Sequence, residues 1–350
     1  MSRTRSATTR RPLVDYTGFC EPPEAKILQT VLDAVTQVYP SLRSPDKIIG
    51  KGVTGFIVLF TSNVVVKFIF ISSDEYNTLD KDAGVREMIK NEQKLQNLFV
   101  KYNLAPVIFD SIIDIRHNHK QSDTYVYGLI MDPIQTTLYE ALKSLDWNNV
   151  RKAQMFLCFF IESFIGSVFP TMIKNKLIHG DMHAGNVALA EPSSYTASAS
   201  IEMMLIDFGR ARVATIGAEH FVDLIPLIGF LSILKRTATG KNKKTQQIFY
   251  TVLIDTLVQA AKTLFSVQLD PNNIHPSGPG YRYWCRRAKN SSISNTIRLL
   301  ANDHNAFEEL YANSHLYPGF ENISNPTRKS MRDALSEARV NCLEFEKKIA

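Results

Sequence analysis

An aspartate stands five residues before an asparagine in the stretch Leu177-Ile-His179-Gly-Asp181-Met-His183-Ala-Gly-Asn186-Val-Ala-Leu189. On a loop that enters a strand, this spacing suits two tasks at once. Asp181 can orient an attacking hydroxyl and accept its proton, while Asn186 offers its side-chain oxygen to Mg²⁺. A second stretch, Leu205-Ile-Asp207-Phe-Gly209, is an apolar strand ending in a carboxylate suited to the same metal, which would bridge phosphates. Either stretch alone is also compatible with an ordinary loop carboxylate.

Three elements earlier in the chain complete a set. Gly50-Lys-Gly52-Val-Thr-Gly55-Phe-Ile57 places glycines where a β-turn-β backbone must approach phosphates without Cβ clashes. The flanks read as strands, which argues against a dinucleotide-binding turn, since that turn opens a helix. Glycines of an ordinary hairpin remain the plain alternative. Lys67 lies within Val64-Val-Val-Lys-Phe-Ile-Phe70, and a lysine in so apolar a run needs either an anionic partner or a route for its head to water. On the strand after the glycine loop it can reach α- and β-phosphates. Strand alternation puts Val65 on its face, where Val65 and Ile57 would cover an adenine. Glu92 is the expected partner of Lys67, because its helix face carries Leu95 and Leu98; Glu87 is the alternative, in more polar surroundings.

The elements that must hold these residues follow from periodicity. Glu24 to Val38 has helical spacing and stops near Pro40; strands are expected at 57–60 and 64–70 around a tight turn, then a helix at 84–102 and strands at 107–115 and 125–131. After Pro133 the pattern is mainly helical, at 138–145, 148–174, 224–234 and 246–265, with short strands at 186–189 and 203–206. A β-rich first part followed by a helix-rich second part predicts an α+β, two-lobed protein. The expected organisation is a basic tail at 1–22, carrying Arg3, Arg5, Arg10 and Arg11, a β-rich N-lobe at 23–132 and a helical C-lobe at 133–350.

Composition narrows the class. Net charge is +6 with a pI near 9.0, and the charge is not concentrated in one block. That suits phosphate-bearing ligands or acidic partners, and it does not point to nucleic acid. The four cysteines are far apart and form no CxxC pair, so a disulfide framework or zinc site is not expected and the protein reads as intracellular, cytoplasmic or nuclear. The most apolar stretch, Met155 to Met172, is interrupted by Glu162 and Pro170 and reads as a core helix, with no membrane crossing.

With all five elements in this order, residues 48–234 resemble the protein-kinase superfamily. The resemblance implies a two-lobed protein-kinase-like fold, ATP and Mg²⁺ as cofactors, and a protein hydroxyl, most often on serine or threonine, as acceptor. It also implies a hinge at Met131-Asp132-Pro133-Ile134, with Met131 as gatekeeper and the backbones of Asp132 and Ile134 bonding the adenine edge. Asp223 resembles the aspartate that braces the catalytic loop in this superfamily, with a simple helix cap as the alternative. Two departures stand out. Gly180 and His183 occupy positions where Ser/Thr kinases carry Arg and Lys, a form similar to the aminoglycoside-phosphotransferase and RIO-like branches. Only 16 residues separate Asp207 from Asp223, so a full activation segment does not fit. The compressed pattern and basic tail also resemble kinases of large DNA viruses, including herpesviruses of lower vertebrates.

The Lys67 pairing is testable by itself. Lys67→Met is expected to cut kcat/KM at least about a hundredfold, roughly 2.7 kcal/mol of transition-state stabilisation. Glu92→Gln should cost less, and combining the two should cost little beyond Lys67→Met alone, because a pair acts as a unit. Additive losses would exclude the pairing, and a larger loss from Glu87→Gln would move it to Glu87.

Overall fold

The computed structural model describes residues 29, 32–33, 35–51, 56–72, 79–119, 122–190, 201–215, 217–266, 274–277, 282–285 and 324–349. The expected basic tail, Gly52 and Gly55 lie outside them. The chain divides into two compact units, one of residues 1–90 and 107–133 and the other of residues 91–106 and 134–350.

The first unit is built on an antiparallel sheet of five strands, β1 (Pro45–Lys51), β2 (Phe56–Phe60), β3 (Val64–Ser72), β4 (Ile108–His119) and β5 (Ser122–Met131), in the order β1-β2-β3-β5-β4. Both faces are apolar, which is why these strands read as continuous hydrophobic runs. Phe56, Val58, Phe60, Val66 and Phe68 pack on one face with Leu32, Val35 and Leu42. Val65, Leu129, Met131 and Tyr127 pack on the other with Ile89, Ile57 and Leu59. The described residues between 29 and 38 are helical, as the spacing predicts. Between β2 and β3 the turn closes through the Asn63 N–H bond to the Phe60 carbonyl (2.9 Å), with Asn63 at φ 59°. Asparagine tolerates that left-handed geometry better than most side chains.

Helix α1 (Leu79–Val100) begins in the first unit and ends in the second, where Phe99 joins the main core. The second unit then runs through β6 (Thr136–Thr137), α2 (Leu138–Ser144), α3 (Val150–Ser163), α4 (Phe169–Lys174), β7 (Leu177–Ile178), β8 (Val187–Ala190), β9 (Glu202–Leu205), β10 (Arg212–Val213), α5 (Leu224–Thr237), α6 (Lys243–Phe265), β11 (Ile274–Ser277), β12 (Arg282–Cys285) and α7 (Arg328–Ile349). Side-chain caps fix two helix starts: Thr137 accepts from the Glu140 N–H and Asn149 from the Lys152 N–H.

The uninterrupted helix expected over 148–174 is instead two helices joined by a π turn, Phe164–Val168. Pro170 has no N–H to offer the Gly166 carbonyl, and the ladder widens there, so that the Phe169 N–H reaches back to Phe164. Helices 150–174 and 243–265 are long and apolar enough to cross a bilayer by length and composition alone. Phe156, Phe160, Phe164, Phe249, Leu253 and Leu257 are fully buried in one cluster, however, so both serve as core helices.

Helix α7 has no counterpart in the expectations above. Its spacing of Met331, Ala334, Leu335, Ala338, Cys342 and Phe345 is helical, and Ala334, Ala338, Cys342 and Phe345 are buried against α3 and α6. The small residues on that face weaken the hydrophobic contrast by which such a helix is recognised.

Candidate active site

The catalytic-loop candidates lie between β7 and β8, and β8 pairs with β9, which delivers Ile206 and Asp207 beside them. The Ile206 N–H bonds to the Asn186 carbonyl at 3.0 Å. The Asn186 side-chain Nδ2 donates to the Asp181 carbonyl at 2.9 Å, which fixes the amide and presents Oδ1 as the atom open to a cation. Asp181, Asn186 and Asp207 are therefore one cluster held by backbone bonds.

Asp223 anchors that cluster from below. Its carboxylate is fully buried and accepts from the His179 N–H (3.1 Å) and the Gly180 N–H (2.7 Å). It makes no capping bond to α5, which begins at the next residue, so the brace describes it and the helix cap does not. Burial pushes its carboxyl up to about 7, against the pull of the two N–H donors.

His179 is the residue whose role the sequence did not reveal. Its Nδ1 accepts from the Asp181 N–H (3.3 Å), so the ring carries its proton on Nε2 and donates it to the Ile206 carbonyl (2.9 Å). The ring is fully buried against Phe208 and Phe99, at centroid distances of 5.2 and 6.4 Å. With Phe208 drawn into the core, the neighbouring Asp207 is exposed and stands at φ 68°, an uncommon conformation for a side chain other than glycine.

The glycine at 180 also has a physical reason. Its φ is 77°, and a Cβ there would lie 2.3 Å from the Arg210 carbonyl oxygen. No arginine can occupy this position in this loop geometry. At the second departure, His183 accepts the Gly185 N–H on Nδ1 (3.0 Å) and stacks on Phe230 at 5.7 Å. Burial, with His179 nearby, pushes its pKa down to about 4, so it is neutral where a kinase lysine would be charged.

Burial raises Asp181 to about 6; Arg210 opposes the rise and Asp207 adds to it. Arg210 Nη1 is 4.0 Å from Asp181 Oδ2 and its side chain is 40% exposed, so solvent weakens this contact. The short segment after Asp207 is folded tightly. Strand β10 pairs with β7, the Ala214 N–H bonds to the Lys176 carbonyl, and the buried Glu219 carboxylate takes both the Arg212 guanidinium and the Thr215 N–H. Nothing in the sequence marked Glu219 for this role.

The first unit carries the remaining candidates except Glu92 and Ile134, which belong to the second. Gly50 pairs with Ile57 across β1 and β2, and a Cβ on Gly50 would come within 3.2 Å of the Ile57 side chain. Lys67 stands opposite Ile57 and Leu129, and Val65 stands opposite Met131, so Lys67 shares its sheet face with Val65, Ile57 and the gatekeeper candidate Met131. The Asp132 N–H is bonded to the Val107 carbonyl at 3.0 Å. Asp132 and Ile134 are half-buried. Glu92 is 4% exposed, whereas Glu87 is exposed.

Residues 129–225 match the family model of the ABC1 atypical kinase-like domain. That span contains Asp181, Asn186, Asp207 and Asp223, together with the whole of the short segment. No curated protein matches the chain. Among solved structures, the chain is similar to the ROP18 kinase domain in complex with AMP-PNP and sucrose, at 10% identity and a TM-score of 0.41, covering 92% of this chain and 95% of that one. The protein has an α+β fold, and the stretch that holds its loop from His179 to Asn186 is similar to an atypical kinase-like domain.

The Asp223 brace has a measurable cost of removal. Asp223→Ala would strand two loop N–H groups away from water, at about 1–3 kcal/mol each. Urea denaturation is expected to show a loss of about 2–5 kcal/mol, and a variant as stable as the parent would remove the brace from this account.

Proposed function

We propose that this protein is an ATP- and Mg²⁺-dependent phosphotransferase, a protein kinase directed to serine or threonine hydroxyls, with a shortened activation segment. The observation that carries the reading is the cluster of Asp181, Asn186 and Asp207, held through backbone bonds to Asn186, His179 and Asp223. A pseudokinase scaffold has no need to keep all of these together with a lysine on β3.

The donor set suits the metal. Asn186 Oδ1 and the Asp207 carboxylate are hard oxygen donors, and Mg²⁺ is commonly held by one or two protein oxygens with waters and phosphate completing its shell. Mg²⁺ bound there with ATP would supply charge neutralisation of the phosphoryl oxygens. The Asp181 carboxylate would orient the acceptor hydroxyl and receive its proton, positioning being the larger share of the effect. Lys67 and the glycine loop would hold the nucleotide phosphates, and Ile57, Val65, Met131, Asp132 and Ile134 its base. The dispersed cysteines favour a reducing, intracellular setting.

A second reading has one observation in its favour. The segment from Arg210 to Val222 is folded back on β7 and fixed by Glu219, which leaves little room for the usual peptide-docking platform and suits a small hydroxylated acceptor. Purified protein with labelled ATP, offered casein, histone, myelin basic protein and a metabolite panel, separates the two by where label arrives. Absence of label from every acceptor would favour the scaffold.

Three outcomes are expected. Asp207→Asn should abolish Mg²⁺-dependent transfer with the fold retained by circular dichroism, and near-parental turnover in Mg²⁺ would refute the metal assignment. Because Asp181 works ionised and its free-enzyme pKa is raised to about 6, kcat/KM should rise with pH through about 6 and level off above it. A profile flat down to pH 5 would exclude Asp181 as the titrating base. Thr215→Ala and phosphatase treatment should each change kcat less than about threefold, roughly 0.7 kcal/mol, since Arg212 is already committed to Glu219. A tenfold loss in both would make Thr215 a phosphorylation switch.

A further inference from the structure

Helices α3 and α7 run past each other in opposite directions, and their contacts form successive rungs. Gly166, in the π turn that continues α3, faces Leu335, and a Cβ on the glycine would sit 3.4 Å from the Leu335 Cδ2. One turn earlier on α3, Glu162 takes the Arg339 guanidinium, with Nη2–Oε2 at 2.9 Å. One turn earlier again, Cys158 meets Cys342, and the two thiols share a hydrogen bond. The steps are four residues down α3 for three or four up α7, which is the register of two helices in close antiparallel contact. The cysteine pair is thus a fixed rung of this ladder, 184 residues apart in sequence (342 − 158) and adjacent in space.

The two thiols differ in access. Cys342 is buried, while Cys158 is half-buried and lines a cavity of about 950 Å³ together with Phe159, Ser163, Met203 and Met204. The bond from Cys158 and burial hold the Cys342 thiol well above the usual range, so it gives up its proton only as a departing hydroxide takes it. An outer thiol reached from a cavity and an inner one in contact with it make the arrangement of an attacked and a resolving cysteine.

We propose that Cys158 and Cys342 form a reversible oxidation site, in which a hydroperoxide oxidises Cys158 and Cys342 resolves it to a disulfide that ties α7 to α3. The peroxide passes one oxygen to the Cys158 sulfur as its O–O bond breaks, leaving a sulfenic acid and the corresponding alcohol, or water from hydrogen peroxide. The Cys342 sulfur then attacks the Cys158 sulfur. The S–O bond breaks, the S–S bond forms, and the departing hydroxide leaves as water with the Cys342 proton. The two sulfurs together lose two electrons and the peroxide gains them. A dithiol restores the pair by exchange. Such pairs in a reducing compartment are typically transient and responsive.

The experiment uses the full-length reduced protein, treated with a small molar excess of hydrogen peroxide and digested without reductant. Mass mapping is expected to find one peptide pair linked through Cys158 and Cys342, with the titratable thiols falling by two from the four of the sequence and returning with dithiothreitol. Cys342→Ala should leave Cys158 as a sulfenic acid trapped by dimedone, and Cys158→Ser should leave Cys342 unoxidised. Failure of the linked pair to form in the folded parent, its formation only in urea, or linkage of either residue to Cys20 or Cys285 instead would overturn the proposal. The parental mapping decides the matter even if a variant at buried Cys342 does not fold.

Discussion

Two backbone N–H groups of a buried loop converge on one carboxylate, and the catalytic geometry depends on that convergence. The amides of His179 and Gly180 are turned away from water, so they need an internal acceptor. A fully buried Asp223 supplies it, and an ionised carboxylate could not be held there without such donors. The bend that aims both amides at Asp223 requires the left-handed backbone of Gly180, which in turn brings the Arg210 carbonyl so close that no side chain fits. His179, fixed by the same bend, reaches across to the Ile206 carbonyl and sets where Asp207 begins. The Asp223 carboxylate thereby ties the loop of Asp181 and Asn186 to the strand end that carries Asp207.

The segment between Asp207 and Asp223 is short enough to be an extension of this framework. In longer-segment kinases a phosphate on the loop gathers arginines and orders the site. Here Glu219 already occupies Arg212 and holds the Thr215 amide, and strand β10 is paired with β7. A carboxylate of the chain itself gathers an arginine and an amide in this segment. The segment is ordered by contacts within the chain itself.

Apolar packing performs the corresponding task in the first unit. Its sheet is covered on both faces, and Lys67 is carried by a strand whose alternate residues fill two different clusters. Pairing of Lys67 with Ile57 and Leu129, and of Val65 with Met131, fixes which face the ammonium leaves from. A slip of one residue in β3 would send Lys67 into the cluster of Phe56, Val58 and Phe60, where a charge has no partner; the apolar pattern therefore enforces the register.

The residues proposed for the chemistry were chosen from residue type and short spacing alone. Asp181 with Asn186, Asp207 before Phe208, Lys67 after a glycine run, and the change from strand to helix period near Pro133 are local signals, and local signals survive in sequence. Asp223 was read by resemblance alone, and its choice between brace and cap waited on the fold, because both roles use the same residue type. The roles of His179 and Glu219, the reason for glycine at 180 and the contact of Cys158 with Cys342 were decided only by tertiary structure. Each depends on a partner 27 to 184 residues away or on a backbone angle set by one, as with His179 and Ile206 at the near end and the two thiols at the far end; Glu219, although close to Arg212 in sequence, is buried by the surrounding core. The π turn and α7 escaped for a related reason. The ladder shift at Pro170 and the burial of a helix face rich in small residues are settled by what packs against them, and hydrophobic period alone does not encode that.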